Sequence, residues 1–155
     1  MINLSPEQIA AELQGFSARI AQGARMLGEV GEIETGVSPR DPIHREDKLT
    51  LYRYQPRVAE PHPVPLLIVY ALVNRPYMMD LQEDRSMIRG LLDAGLDVYL
   101  IDWGYADAGD RHLTLGDYVH RYIGHCVAVL RERGGLHAIS LVGVCQAGAL
   151  SLCFA

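Results

Sequence analysis

The sequence predicts an α/β fold with a mostly parallel sheet and helices on its faces. Three short apolar runs, at residues 66–70, 98–101 and 139–142, have the composition of strands that are buried on both faces of a sheet. Segments with apolar residues at helical spacing separate these runs. Such alternation is typical of strands that pair in parallel through right-handed helical crossovers.

Residues 1–34 are predicted to form a separate amphipathic helical segment. Ser5 and Gln8 have the spacing of a capping box, with proline at the first helical position between them. Gly28 and Gly31 are expected to end the helix. The apolar face of this helix is formed by Ile9, Leu13, Phe16, Ile20 and Leu27. This face could pack on the chain's own domain, contact another subunit or lie on a lipid-like surface.

Residues 35–155 are predicted to form the α/β part of the chain. A connector rich in glycine and proline at 34–42 leads into an alternating strand at 48–54. Asp80 and Glu83 have capping-box spacing and predict the start of the next helix. The other predicted boundaries are a proline-rich loop at 56–65, a helix through 87–92 closed by Gly95, and a helix through 119–130 closed by Gly134 and Gly135.

Composition excludes several classes of protein. The chain has 155 residues, 49% of them hydrophobic, and a formal net charge of −5, so no basic excess is present to bind nucleic acid. The three cysteines are an odd number and fit neither a disulfide framework nor a zinc motif, which predicts a reducing, cytoplasmic setting. No signal peptide or membrane span is expected, because no apolar run is long enough.

The strongest local pattern surrounds Cys145, between the third apolar run and a helix. Small residues stand two places before and after it, Gly143 and Ala147, as in a nucleophile elbow, where strand and helix approach closely. The following helix N-terminus favours a negatively charged nucleophile. Cys145 is therefore predicted to be a nucleophile. A dinucleotide-binding loop would need glycine where Cys145 stands, and a phosphate loop would need a Gly-Lys-Ser or Gly-Lys-Thr sequence.

An elbow enzyme also needs donors for the oxyanion that forms when the nucleophile attacks a carbonyl. The backbone N–H of Gln146, directly after Cys145, is the first predicted donor. The loop after residues 66–70 offers a second, from Leu72 or Val73, although an ordinary strand-to-helix connection would have the same sequence character.

The remaining cysteines and histidines are predicted to be structural. Cys126 and Cys153 lie on apolar helical faces and are expected to pack in the core. His120 and His125 are five residues apart, which does not place two ligands on one helix face, so we expect no metal site.

Long stretches of the chain resemble the catalytic subunit of poly(3-hydroxyalkanoate) synthases of the two-subunit type. They are TGVSP at 35–39, DKL at 47–49, LYRY at 51–54, VPLLIVYALVNRPYM at 64–78, QEDRS at 82–86, DVYLIDWG at 97–104 and GVCQ at 143–146. The similarity corresponds to the N-terminal portion of such a subunit.

The resemblance implies the N-terminal part of an α/β-hydrolase domain, cut shortly after its elbow. It implies an acyltransferase that polymerises 3-hydroxyacyl groups from coenzyme A thioesters through an acylated Cys145, with Val73 as the second oxyanion donor. It also implies no cofactor, a smaller accessory subunit, assembly as a homo-oligomer and a location on polyester granules in the cytoplasm.

Two departures from the family pattern are visible. Ala147 stands where family members have glycine, and no Asp, Glu or His follows Cys145, although the acid and histidine of this fold come after the nucleophile. We therefore expect the 155-residue chain alone to be inactive. Two alternatives stay open: a cysteine-dependent hydrolase of the same fold, such as a dienelactone hydrolase or thioesterase, and a non-catalytic binding module.

Overall fold

The structure, a computed structural model, describes residues 5–29 and 35–155. Within these ranges the chain forms four α-helices and seven strands. The helices are α1 (Pro6–Glu29), α2 (Met87–Asp93), α3 (Gly124–Gly134) and α4 (Gln146–Phe154). The strands are β1 (Arg40–Glu46), β2 (Leu49–Tyr54), β3 (Leu66–Val69), β4 (Asp80–Gln82), β5 (Arg85–Ser86), β6 (Val98–Asp102) and β7 (Ser140–Gly143).

Five strands form a mixed sheet in the order β1-β2-β6-β3-β7. The central strand β3 is parallel to both β6 and β7, whereas β2 is antiparallel to β6 and to β1. Strands β4 and β5 form a separate small antiparallel pair. The predicted α/β fold is confirmed, and its parallel part consists of the three strands that the apolar runs predicted.

Every residue of β3 is buried, because the strand is covered on both faces. On one face Leu67 and Val69 pack with residues of α3 and α4. On the other face Ile68 packs with Ile88 and Leu92 of α2. Burying each such aliphatic side chain is worth roughly 1.5–3 kcal/mol, so the sheet and its helices hold the carboxyl ends of these strands in fixed positions.

Strand β1 was not predicted, because Pro42 lies inside it. Proline cannot donate to a strand ladder and is confined to edge strands and bulges. Here β1 is an edge strand, and its pairing with β2 shifts register between Pro42 and His44. Residues 40–42, interpreted as the end of a connector, therefore belong to the first strand of the sheet.

The predicted helix start at Asp80 and Glu83 is wrong. Asp80 is fully buried in β4 and accepts hydrogen bonds from the backbone N–H and the hydroxyl of Ser38 and from the hydroxyl of Ser86. The helix begins later, and its cap is Ser86, whose side chain accepts from the N–H of Arg89. Asp80 thus binds Ser38, in the segment before β1, and does not cap α2.

The chain divides into two compact units, Met1–Ile33 and Glu34–Ala155, and α1 belongs to the first. The predicted capping box of α1 is confirmed: the N–H of Ser5 donates to the side chain of Gln8, and the N–H of Gln8 donates to the hydroxyl of Ser5. The helix continues through Gly28, while Gly31 lies outside the described residues. Among the helices of the described ranges, none is long and apolar enough to cross a membrane.

Candidate active site

Cys145 occupies a strained turn between β7 and α4. Its φ of 58° and ψ of −126° lie in a region that residues with a side chain rarely adopt. The side chain is exposed. A sharp strand-to-helix turn that presents an exposed nucleophilic residue is the geometry of a nucleophile elbow. The role of Cys145 in catalysis remains a prediction.

Steric contact explains the small residues around the turn. A Cβ atom added to Gly143 would lie 2.4 Å from the carbonyl oxygen of Ala147 and 2.6 Å from the Cα of Gly148, so only glycine fits there. Ala147 is fully buried, and its methyl group belongs to the core beneath α4. The extra methyl at position 147 is therefore accommodated by packing.

The loop after β3 leaves the sheet beside this elbow. Val69 pairs with Gly143, and the N–H of Val144 donates to the carbonyl of Val69 over 2.9 Å. The segments that follow β3 and β7 therefore leave the sheet at the same edge. Gln146 is the first residue of α4, where a backbone N–H has no partner within its own helix. Within residues 5–29 and 35–155, no hydrogen bond uses the N–H of Val73 or Gln146.

Two side chains that the sequence analysis did not single out tie this loop to the segment after β6. At its start, Trp103 Nε1 donates to the carbonyl of Tyr70 over 2.7 Å. At its end, Arg75 Nη1 donates to the carbonyl of Gly104 over 2.6 Å, and the guanidinium lies 3.3 Å from the centre of the Tyr105 ring. Both belong to stretches that carry the family resemblance, but no periodicity marks their contacts.

An aromatic cluster lies beside the same loop. The ring of Trp103 meets the rings of Tyr118 and Tyr122 edge-on, with centres 5.5 and 6.4 Å apart. A cavity of about 60 Å³ lies against this cluster, with Leu49 and Leu72 also in its wall. Leu72 directly precedes Val73, so the cavity adjoins the loop that carries the second predicted oxyanion donor.

The turn between β1 and β2 reaches the same edge, because Thr50 of β2 pairs with Asp102 at the carboxyl end of β6. Glu46 accepts hydrogen bonds from Arg121 and His125, each over 2.7 Å. Burial of Glu46 opposes ionisation, but the bonds from His125 and Arg121 outweigh it and lower the pKa of this carboxyl below its usual value. His125 is thus a structural partner of Glu46.

The other residues of this turn also form ion pairs. Asp47 accepts hydrogen bonds from Arg121 over 2.8 Å and from the hydroxyl of Tyr122 over 2.7 Å. Lys48 Nζ lies 2.7 Å from Asp107 and 2.6 Å from Asp110. Charged side chains therefore connect the β1–β2 turn to the segments that follow β6.

The other two cysteines differ from each other. Cys126 is fully buried as predicted, and burial, together with the nearby Glu46 carboxylate, raises the pKa of its thiol to about 12. Cys153 was expected to pack in the core, but it lies on the exposed side of α4. Because α4 is apolar around its circumference, its sequence did not indicate which side faces the sheet. In the described part of the chain, no cluster of three or more His, Cys, Asp or Glu side chains is arranged to hold a metal.

Two family models match the chain. Residues 8–91 match the N-terminus of poly-beta-hydroxybutyrate polymerase, and residues 64–155 match the α/β-hydrolase fold. The second match contains β3, β6, β7 and the elbow, and the first begins within α1 and ends within α2. Together they cover the described sheet.

Curated relatives agree with these matches. The chain is 54% identical to the poly(3-hydroxyalkanoate) polymerase subunit PhaC of Allochromatium vinosum and 50% identical to that of Thiocystis violacea, in each case over 99% of this chain and 44% of the relative. The subunit of Synechocystis is 50% identical over 96% of this chain and 40% of its own length. The chain thus spans less than half the length of these relatives. It belongs to the poly-beta-hydroxybutyrate polymerase family and corresponds to the N-terminal portion of its members.

Proposed function

We propose that this chain is part of an acyltransferase that polymerises 3-hydroxyacyl-coenzyme A thioesters into polyhydroxyalkanoate polyester through an acylated Cys145. The observation that carries the proposal is the exposed thiol at a strained turn, beside the loop after the neighbouring parallel strand. Family membership supports it, because the relatives are named as polymerases of this polyester.

In the first step, the Cys145 sulfur attacks the thioester carbonyl, and the oxygen becomes an oxyanion that accepts hydrogen bonds from the N–H groups of Gln146 and Val73. The carbon–sulfur bond to coenzyme A then breaks, and coenzyme A leaves as a thiol with the proton that Cys145 gave up. A thiolate suits this step because one thioester replaces another.

In the second step, the hydroxyl of another 3-hydroxyacyl group attacks the acyl-cysteine. A new ester bond forms, the bond to Cys145 breaks, and the hydroxyl proton returns to the sulfur. Attack by an alcohol gives polymer, whereas attack by water would give a free acid. The reaction needs no cofactor beyond the thioester substrate.

The proposal extends to the setting of the enzyme. By analogy with the family, the complete subunit assembles as a homo-oligomer with a smaller accessory subunit on polyester granules in the cytoplasm. The 155-residue chain alone is proposed to be inactive, because residues 146–155 include no acid or histidine and this fold places both after its nucleophile.

The experiment compares two exposed cysteines of the same helical region in the full-length enzyme that contains this chain. With 3-hydroxybutyryl-coenzyme A, Cys145→Ala is expected to lower coenzyme A release and polymer formation by at least about 1,000-fold, since loss of a covalent nucleophile has effects of this size. Cys153→Ala, the matched control, is expected to keep both. Mass spectrometry of the unmodified enzyme should find the acyl group on Cys145.

Other outcomes identify the alternatives. Free 3-hydroxybutyrate without polymer would indicate a hydrolase of the dienelactone hydrolase or thioesterase kind. Absence of coenzyme A release and of acyl-cysteine from the full-length enzyme would indicate a non-catalytic binding module. Normal coenzyme A release by Cys145→Ala would show that another group is the nucleophile.

A further inference from the structure

The side chain of Val73 does little to hold its backbone in place. Its side chain is 85% exposed, and Asn74 next to it is also exposed, so neither packs in the core. An oxyanion donor is effective only when its N–H is fixed in advance at the position of the developing charge. The position of the Val73 N–H must therefore be set by the residues on either side of it.

On the upstream side the anchoring is within the core. Ala71 is buried, Leu72 packs against the cluster beneath α4, and the carbonyl of Tyr70 accepts the bond from Trp103. These contacts fix the backbone as far as Leu72, one residue before the proposed donor.

On the downstream side Arg75 makes the side-chain contacts nearest to Val73, and the buried Pro76 follows it. Arg75 is half-buried, donates to the carbonyl of Gly104 and stacks on Tyr105. Gly104, which accepts this hydrogen bond, is closely packed against Lys48: a Cβ added to Gly104 would lie 2.7 Å from the carbonyl oxygen of Lys48. Gly104 also has a φ of +70°, which favours glycine. The guanidinium therefore ties the end of the donor loop to a segment that packs against the β1–β2 turn.

We propose that Arg75 is a positioning residue that holds the Val73 N–H in place for the oxyanion, by clamping the loop after β3 to Gly104 and Tyr105. The inference rests on the proposed function, since it requires that Val73 donates to a tetrahedral intermediate. Arginine is suited to this role because its planar group can donate to a carbonyl and stack on a ring at the same time.

The test separates two reactions of Cys145 in the full-length enzyme. Acylation by 3-hydroxybutyryl-coenzyme A passes through an oxyanion, whereas alkylation by iodoacetamide displaces iodide from a saturated carbon and needs no oxyanion donor. A residue that positions the donor should affect the first reaction and leave the second unchanged.

For Arg75→Met we expect acylation of Cys145 to slow by about 10- to 100-fold, less than the roughly 100- to 1,000-fold effect of deleting a donor outright. The KM and the rate of iodoacetamide alkylation should stay within about twofold of the unmodified enzyme. Arg75→Lys should recover part of the loss, because a lysine can reach a carbonyl but stacks less well.

Tyr105 supplies a matched pair of variants away from the core, since its side chain is 73% exposed. Tyr105→Phe keeps the ring and should slow acylation less than Tyr105→Ala does. The effect of Tyr105→Ala should be less than additive in combination with Arg75→Met. Continued protection of the buried Cys126 thiol from iodoacetamide will show that each variant is folded.

Three results would overturn the proposal. A raised KM with unchanged kcat would make Arg75 a substrate-binding residue, and parallel losses of acylation and alkylation would make it a support of Cys145 or of the fold. Unchanged acylation in Arg75→Met would remove any role. If the unmodified enzyme forms no acyl-Cys145, the proposed function itself fails, which the same mass measurement detects.

Discussion

The elbow after β7 and the turn between β1 and β2 reach the same edge of the sheet but are held there by different forces. Around Cys145 the chain is held by close contact of uncharged atoms, Gly143 against Ala147 and Gly148. At the β1–β2 turn, Glu46, Asp47 and Lys48 are held by charged partners on other segments.

The two regions therefore respond differently to solution conditions. Steric fit does not change with pH or salt, whereas exposed carboxylate ion pairs weaken as salt rises and as pH falls into the acid range. The turn at Cys145 should therefore keep its geometry under conditions in which the contacts of the β1–β2 turn weaken.

The largest expected effect is that of Gly143→Ala. A methyl group at 2.4 Å from a backbone oxygen forces strand and helix apart, and we expect a loss of about 3 kcal/mol in the free energy of unfolding. Urea denaturation of the full-length protein measures it.

The control is Gly148→Ala, whose added Cβ would lie 3.6 Å from the carbonyl of Gly143, an ordinary contact. Alanine also favours the helix by roughly 0.5–1 kcal/mol, so this variant should be as stable as the unmodified protein or slightly more so. Equal losses in the two variants would contradict the steric account of the elbow.

The next effect is that of Glu46→Gln. The amide keeps the shape of the side chain but removes the charge that Arg121 and His125 contact. Because both partners are substantially exposed, we expect a loss of only about 1 kcal/mol. Glu60→Gln, at an exposed carboxylate without an ion pair in the described ranges, should change stability by less than about 0.5 kcal/mol.

The pH dependence of that loss is a sharper test. A carboxyl with a lowered folded pKa stabilises the protein above its ordinary value of 4.5, and the stabilisation disappears as pH falls through the lowered folded value. The stability difference between the unmodified protein and Glu46→Gln should therefore shrink in acid. His44 also faces Glu46, so the stability of His44→Gln is measured over the same pH range.

Gly143→Ala should cost the same stability at pH 7 and in acid, since no titrating group takes part in its contacts. A pH-dependent loss there, or a pH-independent loss in Glu46→Gln, would remove the proposed distinction between the two regions.

The smallest effect is expected for Lys48→Met, which removes the pairs with Asp107 and Asp110 at the surface. The urea midpoint should fall slightly at low ionic strength and match that of the unmodified protein in about 1 M salt, where the screening length is about 3 Å. An equal difference at both salt concentrations would show that the lysine acts through packing.

Sequence patterns predicted the parts of the fold whose physical signal is local. The three parallel strands are short apolar runs, and the elbow needs glycine at position 143 for a steric reason that involves neighbours in sequence. For the same reason the positions of Cys145 and Gln146 relative to strand and helix could be read from the chain.

Several of the features that the sequence did not predict depend on distant residues. Asp80 has the spacing of a helix cap, but its partner Ser38 is 42 positions away. The contacts of Trp103 and Arg75 with the neighbouring loops likewise join segments about 30 residues apart. No periodicity records such pairings, so the contacts of Arg75 and Trp103 became visible only in three dimensions.

The backbone strain at Cys145 has a consequence for protein engineering. A positive φ on a residue with a side chain costs of order 1–3 kcal/mol, which glycine would largely avoid. Screens of random libraries for heat resistance alone will therefore enrich glycine at this position and discard the thiol. Under the proposed function, selection must be coupled to turnover, because the residue that best resists heat at this turn has no thiol.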